Sequence, residues 1–122
     1  MKVDKFDSVF SKIIRSRDNW TCVRPKCKKQ HLPPTNALHN SHYFGRTRYS
    51  TRFDEENCDA LCHGCHRYWE LSNREEYRDF KIKQLGEDGF YDLRRRSESL
   101  TKKNKVLTDE FYKQLKDRLN EI

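Results

Sequence analysis

The chain has 122 residues, the size of one domain, and with 34% hydrophobic against 37% charged residues it has little apolar material from which to build a core. Its longest apolar runs fall far short of the roughly 18–20 residues of a membrane span, which excludes a membrane-spanning helix. The formal charge of +7, from 26 Lys and Arg against 19 Asp and Glu, suits a polyanionic partner, of which nucleic acid is the commonest, but it equally suits a basic soluble protein with no such role.

The first segment, residues 3–17, reads as an amphipathic helix, because Phe6, Val9, Phe10, Ile13 and Ile14 recur at i, i+3, i+4, i+7 and i+8. Acids near the start stand where a secretory leader would need an apolar run, so the expected compartment is the cytoplasm. Asp18-Asn19 ends the helix, and from Cys22 to Pro34 three prolines and a run of Lys leave only a loop or knuckle. Residues 37–53 read as two short strands with Gly45 near the bend, and Asn57 to about Leu71 reads as a helix formed after the second cysteine pair. After Leu71 the composition shifts, which divides the chain into a core, 1–71, and a basic helical extension, 72–122. In the extension, Asn73 caps a helix that Gly86 ends, Gly89 sets off a shorter one, and Arg94–Lys105 is a basic connection. Thr108 starts a last helix with Phe111, Leu115 and Leu119 on one face.

A thin core needs a staple, and in a reducing compartment five cysteines favour thiolate–metal chemistry over disulfides. Cys22-x₄-Cys27 and Cys62-x₂-Cys65 are two short-spaced pairs separated by 34 residues. That pattern lets two turns contribute two thiolates each to a tetrahedral structural Zn²⁺. Cys58 is left over, and reads as a small apolar core residue. Four of the five histidines, His39, His42, His63 and His66, lie between or beside the cysteines. Such a cluster next to a complete zinc quartet points to a second metal, since imidazole is a common ligand.

The Ser41-His42 dyad, Asn57, and the Cys62-x₂-Cys65-His66 ending resemble the HNH (His-Asn-His) endonuclease signature. Ser41-His42-Tyr43-Phe44-Gly45-Arg46, Ser50-Thr51-Arg52-Phe53-Asp54 and Glu56-Asn57-Cys58 are closer still to the phage NinG (Rap) recombination nucleases, over roughly residues 10–70. The resemblance implies an α+β fold with a ββα-metal (His-Me finger) core flanked by an N-terminal helix and C-terminal helices. A catalytic Mg²⁺ or Mn²⁺ would stand near the zinc. His42 would be the general base, Asn57 would orient it across the loop, and His66 would ligate the ion. Ser41 stands where the family commonly has a metal-binding Asp. His39, of the same strand parity as position 41, is therefore assigned as the second ligand. Glu70, i+4 from His66, could join that metal shell or be a plain surface carboxylate. Arg46, Arg48 and Arg52 are candidates for gripping DNA phosphates, with at least one expected to be only surface. The expected function is a DNA phosphodiesterase of phage recombination acting on branched or single-strand-containing DNA in the host cytoplasm, with a homodimer as the family expectation. The alternative is a zinc-stabilised DNA-binding module with a vestigial nuclease site.

Overall fold

The computed structural model describes residues 4–122; Met1, Lys2 and Val3, of which only Val3 belongs to the predicted helix, lie outside the described residues. Helix α1 (Lys5–Arg17) begins at a capping box. Asp4 accepts from the Asp7 amide at 2.8 Å and Asp7 accepts from the Asp4 amide at 3.2 Å. The apolar stripe buries Phe6, Phe10, Ile13 and Ile14. The helix ends at Asp18, after which Asn19 (φ 55°) and Trp20 (φ 54°) both adopt left-handed backbone, and the Trp20 amide returns to the Arg15 carbonyl at 2.7 Å.

Two strands follow, β1 (Leu38–His42) and β2 (Cys58–Cys62), paired antiparallel with Leu38 opposite Cys62 and His42 opposite Cys58. Helix α2 (His63–Arg67) leaves β2 without a break and runs on through a π-helical turn over Tyr68–Ser72. Asn73 then caps α3 (Arg74–Ser97), accepting from the Glu76 amide at 3.0 Å. A four-residue helix α4 (Lys103–Val106) precedes α5 (Asp109–Glu121), which Thr108 caps as its sequence position predicts. Among the described residues, five α-helices and a two-stranded antiparallel sheet make a small α+β fold. No helix among the described residues is long and apolar enough to cross a membrane.

The second strand is a correction to the sequence reading. The segment 43–53 is turns, and the chain pairs with β1 only from Cys58, while the helix expected from Asn57 starts at His63. The physical reason is that Cys58, Asp59, Ala60 and Leu61 are all buried. A strand covered on both faces shows no alternation of polar and apolar residues by which to recognise it. Gly86 breaks helical geometry (φ 78°, ψ 162°) where the sequence places a helix end, so Arg74–Ser97 is two helical pieces meeting at a kink, the second running through Gly89 to Ser97. Arg94–Lys105 is thus not all connection: Arg96, in the last turn of α3, binds Asp54 at 3.0 Å and Glu56 at 2.7 Å.

One apolar core runs through the molecule. Tyr77, Phe90 and Leu115 from residues 72–122 join Phe6, Phe10, Ile14 and Leu38 in it. Phe111 and Tyr112 of α5 lie 6.2 and 5.4 Å from the Phe6 ring, and Phe53 bridges Phe10 and Phe111 at 5.6 and 5.5 Å. Trp69 stacks on Tyr77 at 4.4 Å.

Candidate metal centre and histidine cavity

Cys22 lies just past α1, and Cys27 sits in a tight turn in which the Cys27 and Lys28 amides both bond the Arg24 carbonyl, at 2.9 and 3.1 Å. Cys62 ends β2 and Cys65 stands in the first turn of α2. The four Sγ atoms lie within 4.8 Å of one another, with Cys27 and Cys62 3.9 Å apart. Thiolates about 2.3 Å from a tetrahedral Zn²⁺ would be separated by about 3.8 Å, so four cysteines meet here that could hold a structural metal such as zinc. Burial raises the Cys62 thiol, but hydrogen bonds from Cys65, Cys27 and Cys22 outweigh it and hold the thiol below its ordinary value. The Arg24 guanidinium donates to Cys65 Sγ at 3.7 Å and is itself fixed by Glu76 at 2.9 Å. Cys58 lies outside the cluster, and full burial pushes its thiol well up, as suits an apolar filler.

His42 ends β1 and is 9% exposed. Its Nε2 lies 2.9 Å from the Arg52 carbonyl oxygen. A carbonyl only accepts, so Nε2 is the donor and Nδ1 keeps the lone pair. Burial pushes the His42 pKa down to about 4, so the ring is neutral at physiological pH. The loop that presents the Arg52 carbonyl is pinned by Asn57, which is fully buried. Its side chain accepts from the Phe44 amide at 2.8 Å and donates to the Phe44 and Thr51 carbonyls at 2.9 and 3.0 Å. Asn57 therefore touches the loop that carries the Arg52 carbonyl, and reaches His42 only through it.

The three candidate DNA-binding arginines are placed unequally. Arg52 is 2% exposed and clasps Asp7 of α1 through Nε and Nη2, at 3.0 and 2.6 Å. This corrects its assignment, because a buried guanidinium holding a carboxylate is not presented to DNA. Arg48 donates to the Ser97 hydroxyl at 3.2 Å. Arg46 shares Asp7 at 3.0 Å and lines the same cavity of about 540 Å³ as His39 and His42.

Strand alternation sends neighbouring side chains of β1 to opposite faces. His39 Nδ1 meets His66 Nδ1 at 3.1 Å, His66 Nε2 bonds Glu70 at 3.0 Å, and the His63 ring is 5.3 Å from His39. Burial, with His66 and His63 alongside, lowers the His39 pKa and keeps it in the neutral form that a metal requires. Ser41 turns into the core, where its hydroxyl accepts from Tyr77 at 3.1 Å. His42 does not join the His39–His66 pair. Among the described residues, the cysteine quartet is the one group of three or more His, Cys, Asp or Glu side chains that converges closely enough to hold an ion.

Two features escape a linear reading. Asp7, which reads as a solvated helix acid, anchors Arg52 and Arg46; its place one residue after Phe6 and three before Phe10 was the available signal. Beneath Ser41, Asp59 binds Lys81 at 3.2 Å and Tyr77 at 2.9 Å, and both Asp59 and Lys81 are 0% exposed. Nothing in the residue types at these distant positions announces that pairing. The chain matches no protein-family model, no curated protein and no solved structure.

Proposed function

We propose that the chain is a metal-dependent DNA endonuclease of the HNH type, with β1, β2 and α2 as its ββα-metal core and a structural zinc on Cys22, Cys27, Cys62 and Cys65. The observation that carries this reading is His42. Its Nε2 donates to a backbone carbonyl, which leaves Nδ1 as the basic nitrogen of a neutral ring in a side chain that lines an open cavity. That is the tautomer and protonation state of a general base for water. Asn57 and the Asp7–Arg52 pair hold the carbonyl that sets this tautomer.

The residues that would hold a catalytic divalent ion are His39 and His66. Two imidazole nitrogens each about 2.1 Å from a shared ion stand about 3 Å apart, which the 3.1 Å separation fits. Glu70 on the far nitrogen of His66 would be its outer carboxylate. Two nitrogen ligands suit Mn²⁺ better than Mg²⁺, which prefers oxygen. When bound, the ion would supply charge stabilisation to the phosphate and the leaving 3′ oxygen. The substrate proposed is branched or single-strand-containing DNA.

Ser41 facing the core, with no third ligand converging on His39 and His66 among the described residues, favours a second reading: a zinc-stabilised DNA-binding module. Single-turnover cleavage of linear, flapped and four-way DNA with Mn²⁺ and with Mg²⁺ separates the two. His42→Ala should lower the rate by about 10²–10⁴ while zinc content and DNA binding persist. Equal rates from wild type and a folded His42→Ala protein would discard the nuclease assignment in favour of the binding module.

A further inference from the structure

Most buried or half-buried arginines of this molecule have a carboxylate: Arg17, Arg24, Arg46, Arg52, Arg96 and Arg118 each form an ion pair. Arg15 is the exception. It lies on the face of α1 that lines the cavity containing His42, and it makes no ion pair among the described residues. Its Nε is buried with no hydrogen-bond partner. The surroundings offer it only an aromatic face, the Trp20 ring, whose centroid is 5.3 Å from the guanidinium carbon. That contact depends on the two left-handed residues after α1, Asn19 and Trp20, which fold the tryptophan back toward the last turn of the helix. Burial lowers the Arg15 pKa, and the Trp20 ring stands against the half-buried charge in place of a carboxylate. A second orphan stands in the same cavity: Asn40 Oδ1 is buried and has no donor. Asn40 is two residues before His42, on the same face of β1.

The carboxylate that lines this cavity, Asp7, is already held by Arg52 and Arg46, so the unpartnered Arg15 Nε and Asn40 Oδ1 leave room for a further anion and a hydrogen donor. We propose that Arg15 is a phosphate-binding residue, its guanidinium taking the non-bridging oxygens of a nucleic-acid phosphodiester while Asn40 Oδ1 accepts from the water that His42 deprotonates. The water step rests on the nuclease reading; the phosphate contact does not. A planar guanidinium presents two parallel N–H groups to phosphate oxygens, and the Trp20 ring holds that plane in place. Lys12, one turn earlier on α1, lines the cavity as well and adds positive charge at its mouth.

The test compares zinc-loaded wild type, Arg15→Gln and Arg15→Lys by fluorescence anisotropy with a labelled single-stranded oligonucleotide across a salt series, and with the same oligonucleotide carrying neutral methylphosphonate linkages. Single-turnover cleavage runs in parallel, and zinc content and melting temperature report folding. Arg15→Gln should weaken binding about 10- to 100-fold, the range of one charge-assisted contact, and flatten the salt slope by about one. Arg15→Lys should restore the slope but only part of the affinity. On the methylphosphonate strand, wild type and Arg15→Gln should bind alike. If wild type cleaves and Arg15→Gln binds with unchanged affinity and slope, the assignment of Arg15 is overturned and the nuclease reading stands. If no protein cleaves but the binding differences appear, the nuclease reading falls and the phosphate site stands. Should Arg15→Gln lose zinc or melt early, Arg15→Lys decides: wild-type affinity and full cleavage from the lysine variant would overturn a fork-shaped contact.

Discussion

At the Leu38–Cys62 end of the β1–β2 pair four thiols converge within 4.8 Å, whereas at the His42–Cys58 end one imidazole hangs from one carbonyl oxygen at 2.9 Å. The cysteine end is built from local turns, x₄ and x₂ in sequence, so that short-range geometry sets the approach of the sulfurs within each pair. The histidine end is built from remote partners. Asp7 and Arg52 are 45 residues apart, and Asn57 pins a loop whose other anchor is Phe44. An end closed by a metal would tolerate a thin core, because binding energy there would be folding energy. A contact-closed end depends on every buried charge keeping its partner. The two ends should therefore fail differently.

The largest effect belongs to the cysteine end. Cys62→Ser should abolish stoichiometric zinc and, with it, cooperative unfolding, since structural zinc contributes roughly 10–16 kcal/mol in small zinc-dependent peptides, as much as a whole domain commands. Cys58→Ala, outside the quartet, should keep one zinc per chain. Elemental analysis with circular dichroism reads both, and a Cys62→Ser protein that melts like wild type would break the contrast between the two ends.

Next comes the ionic layer beneath the strands. Lys81→Met leaves Asp59 charged and fully buried, with Tyr77 and Gln84 at 2.9 and 3.2 Å as its remaining side-chain partners. The expected loss is about 3–5 kcal/mol in urea unfolding, with zinc retained. A loss under about 1 kcal/mol would mean that the two hydrogen bonds satisfy Asp59 unaided.

The smallest effect is acid sensitivity at the histidine end. Folding lowers the His42 pKa to about 4, below its ordinary value of 6.5. As pH falls, the unfolded chain therefore takes up the proton first, and stability declines from about pH 6.5 to about pH 4, by roughly 3 kcal/mol at most. Below that window both states are protonated and the decline from this group stops. His42→Ala should lack this component, so its stability should fall less than that of wild type between those pH values. Parallel curves would show that His42 does not titrate as a buried neutral ring.

Several elements were legible because their causes are local. The α1 stripe, the Asn73 and Thr108 caps, the Gly86 break and the two short-spaced cysteine pairs each depend on residues a few positions apart, so spacing alone carries the information. That His39 and His66 share a site is implied by the family resemblance, with strand parity placing His39 on the face of position 41, and the two rings do meet at 3.1 Å. What spacing could not carry were features made by burial from two sides or by pairing across the fold. Strand β2, covered on both faces, lost the alternation that marks a strand. Arg52 reads as a phosphate ligand in the sequence, but Asp7, 45 residues away, claims it. A residue type states which interactions a side chain can make. Only the tertiary structure decides which of them are taken, because that depends on what the chain brings alongside from dozens of residues away.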